Sequence, residues 1–185
     1  MPSVMQNTHN QQQIDTSEVT GVILAGGRST RMGQDKATLK IAGLTLFDRA
    51  RGMLDSIFSR VLIAGDRPDL ATARCPCFAD IYPGSALGGI HAGLVAAQTP
   101  WIFVVPCDLA YPDADLVRYL LHQRNACEAV VPRTPGGFEP VFALYHKNCL
   151  APMEELLHSG NYRIYDFYNQ VRVRYVDAQQ FPTDW

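Results

Sequence analysis

Short runs of apolar residues recur along the chain and alternate with stretches of helical length. The apolar runs cover residues 19–25, 61–64, 101–105 and 129–131, and the helical stretches cover 45–60, 88–98 and 113–124. Apolar strands separated by helices predict a mostly parallel central sheet, because each crossover helix covers one face of the sheet. We therefore expect a single α/β, Rossmann-like domain with helices on both faces.

The pattern changes in the last third of the chain. Residues 140–146 and 171–176 alternate like half-exposed strands, and they flank a helical stretch at 149–158 and a segment rich in Tyr and Arg at 162–168. This alternation predicts a mixed edge on the sheet. At the other end, residues 1–17 are rich in Gln, Asn, Ser and Thr, so we expect a disordered polar tail followed by one domain over 18–185.

Composition and charge exclude several functional classes. The chain has 185 residues, of which 47% are apolar, and its net charge of −2 gives no positive field for nucleic acid or an anionic membrane. Its longest nearly apolar run, 86–97, is well short of the roughly 20 residues that span a bilayer. Five cysteines without a secretory signal suggest reduced thiols in the cytoplasm, and the Cys75/Cys77 pair lacks the second ligand pair of a zinc site.

The segment directly after the first strand has the composition of a phosphate-binding loop. Residues 24–36 read Leu-Ala-Gly-Gly-Arg-Ser-Thr-Arg-Met-Gly-Gln-Asp-Lys. Gly26 and Gly27 let backbone N–H groups approach an anion, and Arg31 and Lys36 add positive charge. Ligands of open α/β sheets lie beyond the carboxyl ends of the strands, which is where this loop falls.

Two better-known loops do not fit this segment. A Walker loop requires Gly-Lys-Ser/Thr, whereas Lys36 lies between Asp35 and Ala37. A dinucleotide fingerprint requires Gly-x-Gly-x-x-Gly, which Gly26, Gly27 and Gly33 do not supply. The alternative is a plain turn with solvated cations.

A carboxylate follows the strand at 101–105. The chain continues there as Pro106-Cys107-Asp108, so Asp108 is expected near the glycine loop, at a second strand end. Mg²⁺ prefers one or two carboxylates together with water and phosphate oxygens, which makes Asp108 a candidate metal ligand. The alternative is an N-terminal cap for the next helix, a role for which Asp113 is closer.

Together the loop and Pro-Cys-Asp resemble the molybdenum cofactor guanylyltransferases, a family of nucleotidyltransferases, over roughly residues 19–177. The resemblance implies transfer of GMP from GTP to molybdenum-molybdopterin with Mg²⁺ as cofactor. It also assigns roles to the positions that match the family. Catalytic roles fall to Arg31, Lys36 and Asp108, and Asp108 would also bind the metal. Nucleotide contacts are implied for Leu24, Ala25, Gly26, Gly27, Lys36, Asp80 and Asp108.

Other matching segments leave alternatives open. The resemblance implies that Asp80, which matches a nucleotide-contacting position of the family, contacts the guanine nucleotide, but an aspartate before Tyr82-Pro83-Gly84 is also typical of a turn. Gly88 and Gly89 open a helix that either holds a phosphate or packs tightly. Glu139 lies in a loop that would face the acceptor, or it is an exposed carboxylate. His91 is interpreted as a core or surface residue.

The sequence departs from the family in two places. Relatives commonly continue beyond the strand at 171–176 into an Asn-x-Asn-Thr-Pro segment, whereas this sequence stops at Thr183-Asp184-Trp185. We therefore expect a site that is impaired, truncated or completed by other residues. Ala64 stands where some relatives have Asn, which leaves its carbonyl as the available group. The alternatives are therefore a cytidylyltransferase for the same cofactor, a guanylyltransferase for another phosphorylated acceptor, and a non-catalytic GTP-binding partner. The resemblance also implies downstream molybdoenzymes or their chaperones as partners.

Overall fold

The computed structural model describes residues 15–26 and 35–183. The predictions for Gly27, Arg31 and the tail up to residue 14 concern residues outside this part. The described strands are β1 Val19–Leu24, β2 Lys40–Ile41, β3 Leu44–Thr45, β4 Val61–Ala64, β5 Cys77–Phe78, β6 Trp101–Pro106, β7 Ala129–Thr134, β8 Gly137–Phe138, β9 Ala143–His146 and β10 Val173–Asp177. The α-helices are α1 Leu46–Asp55, α2 Ala86–Ala96, α3 Ala114–Leu121 and α4 Leu150–His158, and short 3₁₀ segments cover Lys36–Thr38, Pro68–Leu70, Lys147–Cys149, Ile164–Gln170 and Ala178–Gln180.

The main sheet is mostly parallel, as predicted. Its strand order is β10-β7-β9-β6-β1-β4-β5, with β8 paired to β7 and β2-β3 forming a separate hairpin. Strand β1 runs parallel to both β4 and β6, and β10 runs parallel to β7. Strand β9 is antiparallel to both β6 and β7, so the main departure from parallel pairing lies inside the sheet and not at its edge, where the mixed pairing was expected.

Helices cover both faces of the sheet and divide the core in two. Side chains of α1 and α3, such as Leu54 and Leu120, pack with Ile23 of β1 on one face. Those of α2 and α4, such as Ile90 and Met153, pack on the other face. The alternation of side chains along β1 supplies both layers, which explains why the strand is buried along its whole length and is mostly apolar.

Several elements are shorter than their sequence pattern suggested. Helix α1 begins after Thr45, whose Oγ1 accepts a hydrogen bond from Asp48 N, and it ends at Asp55, five residues before the predicted end. Strand β9 begins only at Ala143, because Pro140 has no N–H group and Phe142 N donates to Glu139 O in a turn. Every helix in the described part of the chain is too short or too polar to traverse a lipid bilayer.

The topology leaves a crevice at the carboxyl end of β1. The crossover through α1 leads from β1 to β4 on one side, and the crossover through α2 returns the chain to β6 on the other side. The strand order therefore reverses around β1, and such a switch point is where open α/β sheets bind ligands. The loops that follow β1 and β6 meet at this point.

Candidate active site

Lys36 and Asp108 lie together at the switch point. The Nζ atom of Lys36 donates to Asp108 Oδ2 at 3.3 Å, although the two residues are 72 positions apart. Strands β1 and β6 are neighbours, and Cys107 N donates to Leu24 O at 3.1 Å, which brings the two strand ends together. Because both side chains are partly exposed, at 47% and 35%, water competes with this ion pair and the pair is weak.

The beginning of the glycine loop is held by strand β4 and the residue after it. Ala25 N donates to the Ala64 carbonyl at 2.9 Å, so that carbonyl extends the sheet. Leu24 and Ala25 are buried, whereas Gly26 is exposed. Gly65 follows with a φ of +141°, and its backbone lies against the Ala25–Gly26 peptide. The exposed backbone of Gly26 therefore starts from a rigid support.

Arg67 holds the other end of the loop, and the sequence analysis did not identify it. Its Nη2 atom lies 2.7 Å from Asp35 Oδ2, and its Nε and Nη2 atoms donate to the two carboxylate oxygens of Asp69 at 2.9 and 2.8 Å. Asp35 in turn accepts from Ala37 N at 3.1 Å and caps the 3₁₀ segment that carries Lys36. Arg67 thus orients Lys36 through Asp35. The available signal was an arginine three residues after the predicted strand at 61–64.

The hydrogen bonds between Arg67 and Asp69 keep both side chains charged. Hydrogen bonding to Asp69 is the largest cause that raises the pKa of Arg67, and the same bonds lower the pKa of Asp69. Burial raises the pKa of the Cys107 thiol to about 11, so this thiol is neutral at physiological pH. Cys107 is therefore a poor nucleophile despite its position beside Asp108.

Asp80 lies against the first turn of α2. Its Oδ1 atom accepts from Tyr82 N at 2.7 Å, which confirms the turn interpretation, and burial raises the pKa of its carboxyl group. A Cβ atom on Gly88 would lie 2.2 Å from Tyr82 O, and one on Gly89 would lie 3.3 Å from Leu24 Cδ2. These glycines pack tightly, and they bring Asp80 close to the end of β1.

The remaining candidates separate into caps, core residues and a loop carboxylate. Asp113 caps α3 by accepting from Asp115 N and Leu116 N, so Asp108 is not needed as the cap. His91 is a core residue, 2% exposed, with Nε2 3.2 Å from Glu154 Oε1. Glu139 lies at the same edge of the sheet as Asp108, but its carboxylate accepts from Thr134 Oγ1 at 3.3 Å. Within the described residues the structure pairs it with neither Lys36 nor Asp108.

Comparison with known proteins identifies the family. Residues 21–174 match the MobA-like NTP transferase domain. The chain belongs to this family. A family relative from Pelotomaculum thermopropionicum, named "Probable molybdenum cofactor guanylyltransferase", is 38% identical over 88% of this chain and 80% of its own length. A Vibrio parahaemolyticus protein, named molybdenum cofactor guanylyltransferase, is 33% identical over 91% of this chain and 89% of its own length.

Solved structures agree with the fold. A structure from Aquifex aeolicus has a TM-score of 0.75 and 28% identity, and it covers 88% of this chain and 89% of its own. Molybdopterin-guanine dinucleotide biosynthesis protein A from Archaeoglobus fulgidus has a TM-score of 0.73 over 87% of this chain and 84% of its own. Its 18% identity shows the fold alone. The predicted α/β class with a mostly parallel sheet is confirmed.

Proposed function

We propose that this protein transfers GMP from GTP to the terminal phosphate of molybdenum-bound molybdopterin and releases pyrophosphate. The observation that carries the proposal is the meeting of Lys36 and Asp108 at the switch point, in a chain whose relatives of nearly full length are named for this activity. In this reaction an acceptor phosphate oxygen forms a bond to the α-phosphorus of GTP. The bond from that phosphorus to the bridging oxygen breaks, and pyrophosphate leaves.

The donor set at Asp108 fits a magnesium ion. Mg²⁺ is held by one or two carboxylates together with phosphate oxygens and water, and the Asp108 carboxylate is accessible at the rim of the crevice. When bound, the ion neutralises charge on the phosphates of the nucleotide. Asp108 would hold it once Lys36 turns toward the triphosphate, which replaces the carboxylate as the partner of the ammonium group.

Different residues around the crevice are assigned to different parts of the substrates. Lys36 and the backbone of Gly26 face the triphosphate, and Gly27 and Arg31 are assigned to it from the sequence. The half-buried carboxylate of Asp80 is suited to accept the N1 and N2 protons of guanine or a ribose hydroxyl. Leu24 and Ala25 support this surface from below. Glu139 is assigned to the acceptor side.

The chemistry needs no nucleophile from the protein. A phosphate monoester with a second pKa near 6 is largely dianionic at neutral pH, so the acceptor attacks without a general base. The neutral Cys107 thiol is consistent with this assignment. The protein then has to hold the acceptor oxygen, the α-phosphorus and the leaving pyrophosphate in line and to offset the negative charge of the phosphates. Positioning and electrostatics of this kind dominate the catalysis of such transfers. We assign the reaction to the cytoplasm, with molybdoenzymes or their chaperones receiving the product.

The proposal is tested by turnover of the full chain with GTP, Mg²⁺ and molybdenum-loaded molybdopterin. Pyrophosphate release and the dinucleotide product are measured together. We expect Asp108→Asn to lower kcat by on the order of 10² to 10³-fold, because it removes a preorganised charge in the reacting centre. The matched control is Asp113→Asn, a capping residue five positions away. Equal turnover by Asp108→Asn and the wild type would contradict the assignment.

A further inference from the structure

A group of aromatic side chains lies exposed at the carboxyl edge of the sheet, on the side of β6 opposite to β1. We call it the aromatic platform and define it as Phe138, Tyr162, Tyr165 and Tyr175. Tyr162, Tyr165 and Tyr175 are 50%, 48% and 40% exposed. The ring of Phe138 lies 4.7 Å from that of Tyr175 and 5.8 Å from that of Tyr165, measured between centroids. Large aromatic surfaces left in water in this way often mark binding sites.

Buried groups beneath the platform hold its rings in place. Tyr168 is 8% exposed, and its ring lies 5.9 Å from Tyr165 and 6.3 Å from Tyr175. Its hydroxyl lies 2.9 Å from the hydroxyl of the fully buried Tyr145, which donates in turn to Pro140 O at 2.7 Å. Tyr165 and Tyr175 therefore rest on a hydrogen-bonded core, and their rings lose little conformational freedom when a ligand binds.

The platform borders a cavity of suitable size for a small molecule. The cavity has a volume of about 480 Å³, within the usual range of small-molecule sites. Its lining combines aromatic, cationic and anionic groups: Pro140, Tyr162, Arg163, Ile164, Tyr165 and Asp166. A planar ligand with polar edges suits this lining better than an aliphatic chain, because ring faces and charged groups converge there.

Strand pairing places Phe138 of the platform at the same carboxyl edge of the sheet as Asp108. Phe138 pairs with Arg133 of β7, and Asp177 of β10 occupies the other side of that residue. Strands β8 and β9 both pair with β7, and β9 also pairs with β6. Continued along the strands, this register puts Phe138 at the same height in the sheet as Pro106, the last residue of β6. Both residues therefore lie at the carboxyl edge of the sheet. Asp108 follows two residues after the end of β6.

The charged groups of the cavity are available for a ligand. The guanidinium group of Arg163 has no ion pair or hydrogen bond to any residue of the described ranges 15–26 and 35–183. Asp166 Oδ2 accepts from Asn161 Nδ2 at 2.7 Å, and its other carboxylate oxygen has no partner within those ranges. A carboxylate accepts paired N–H groups of an aminopyrimidinone ring, and a guanidinium binds anionic oxygens.

We infer that the aromatic platform and its cavity bind the fused-ring pterin end of the acceptor. The inference rests on the proposed function, which requires an acceptor phosphate beside Asp108 and a pterin ring system a short distance from that phosphate. Tyr162 and Tyr165 stack on the ring, Asp166 accepts its amino and ring N–H groups, and Arg163 faces an anionic group. The nucleotide site of the proposed function lies on the other side of β6, at the end of β1.

The test separates pterin binding from GTP binding. A fluorescent oxidised pterin with a phosphomethyl arm is titrated into the full chain, and the Kd for GTP is measured separately by calorimetry. We expect Tyr162→Ala and Tyr165→Ala each to weaken pterin binding by about 5- to 100-fold, the usual effect of losing a stacking ring. The Kd for GTP should stay within about twofold. Tyr165→Phe retains the ring, so it should bind the pterin like the wild type.

Two controls complete the design. Val95→Ala removes an exposed apolar side chain near the end of α2 and should change neither Kd. The wild type should prefer the pterin to lumazine, which lacks the amino group, and Asp166→Asn should lose that preference. Thermal unfolding of every variant shows whether it is folded.

Each outcome decides the inference. No pterin binding by the wild type, unchanged pterin affinity in both alanine variants, or a parallel loss of GTP affinity would overturn it. Pterin binding that depends on Tyr162 and Tyr165, in a wild type that transfers no GMP, would support the site and refute the proposed function. Normal GMP transfer with an unchanged KM for the acceptor in both alanine variants would keep the function and refute the site.

Discussion

Replacement of Gly65 by alanine should disturb the nucleotide site from behind. Gly65 N donates to Phe78 O at 2.9 Å, and its carbonyl accepts from Cys77 Sγ at 3.0 Å, so its backbone is held on the β5 side. An added Cβ atom would lie 2.7 Å from both Ala25 C and Gly26 N. These are backbone atoms, which cannot rotate away as the end of a flexible side chain can.

The size of the effect follows from that contact and from the backbone conformation. A φ of +141° costs an L-residue about 1 to 2 kcal/mol, and overpacking costs about 1 to 3 kcal/mol more. For a chain of this size the melting temperature should fall by roughly 5 to 15 °C. To restore ordinary contact at 3.4 Å, the Ala25–Gly26 peptide must move by about 0.7 Å. A misplacement of that order costs on the order of 10² in kcat/KM.

The matched control is Gly43→Ala. Gly43 also has a positive φ, of +86°, but an added Cβ atom would meet nothing within 4 Å. This variant should lose stability through backbone strain alone and keep its GTP affinity. Calorimetry with GTP and thermal unfolding are measured on both variants. A folded Gly65→Ala protein that binds and uses GTP like the wild type would refute the reasoning.

Three further predictions concern single side chains around the site. A lysine at position 67 cannot bind Asp35 and Asp69 at once, so Arg67→Lys should raise the KM for GTP about tenfold in steady-state kinetics. The control Asp69→Asn keeps the Arg67–Asp35 pair and should change this KM less. Equal effects of the two variants would contradict the role of Arg67. Because burial raises the folded-state pKa of Asp80 above 3.8, its ionised form costs stability as the pH rises through that pKa. Asp80→Asn should therefore raise the melting temperature at pH 7 but not below pH 3.8, while GTP binding weakens; a lower melting temperature at pH 7 would argue against this. Asp113→Ala removes the cap of α3 and should cost about 0.5 to 2 kcal/mol in denaturant unfolding with kcat unchanged, and a large loss of kcat would contradict its structural role.

The strands that carry the site were predictable because they are buried on both faces. Strand β4 has the predicted bounds, and β1 and β6 differ from their predicted bounds by one residue, since each is a short, mostly apolar run with a clear end. Their shared carboxyl edge was enough to place Lys36 and Asp108 in one crevice. Local turns were harder to predict, as the late start of β9 after Pro140 shows.

What sequence could not supply was long-range pairing between side chains. The role of Arg67 depends on how the loop after β4 folds back onto Asp35, a contact between residues 32 positions apart. The interior position of antiparallel β9 is likewise set by which strands pair, and alternation of apolar and polar residues does not encode the partner. The aromatic platform combines residues from β8, β10 and the Ile164–Gln170 segment, with Tyr162 just before it, and only the folded sheet brings them together.

The central claim is that the triphosphate of GTP binds where Lys36 and Asp108 meet at the ends of β1 and β6. Calorimetric titration of GTP, CTP and UTP in the presence of Mg²⁺, with the wild type and Lys36→Ala, tests it most directly. We predict that the wild type binds GTP at least about tenfold more tightly than either pyrimidine nucleotide, and that Lys36→Ala loses on the order of 10²-fold in GTP affinity because a charged partner of the phosphates is removed. Undetectable GTP binding by the wild type, or equal GTP affinity in a folded Lys36→Ala protein, would contradict the claim.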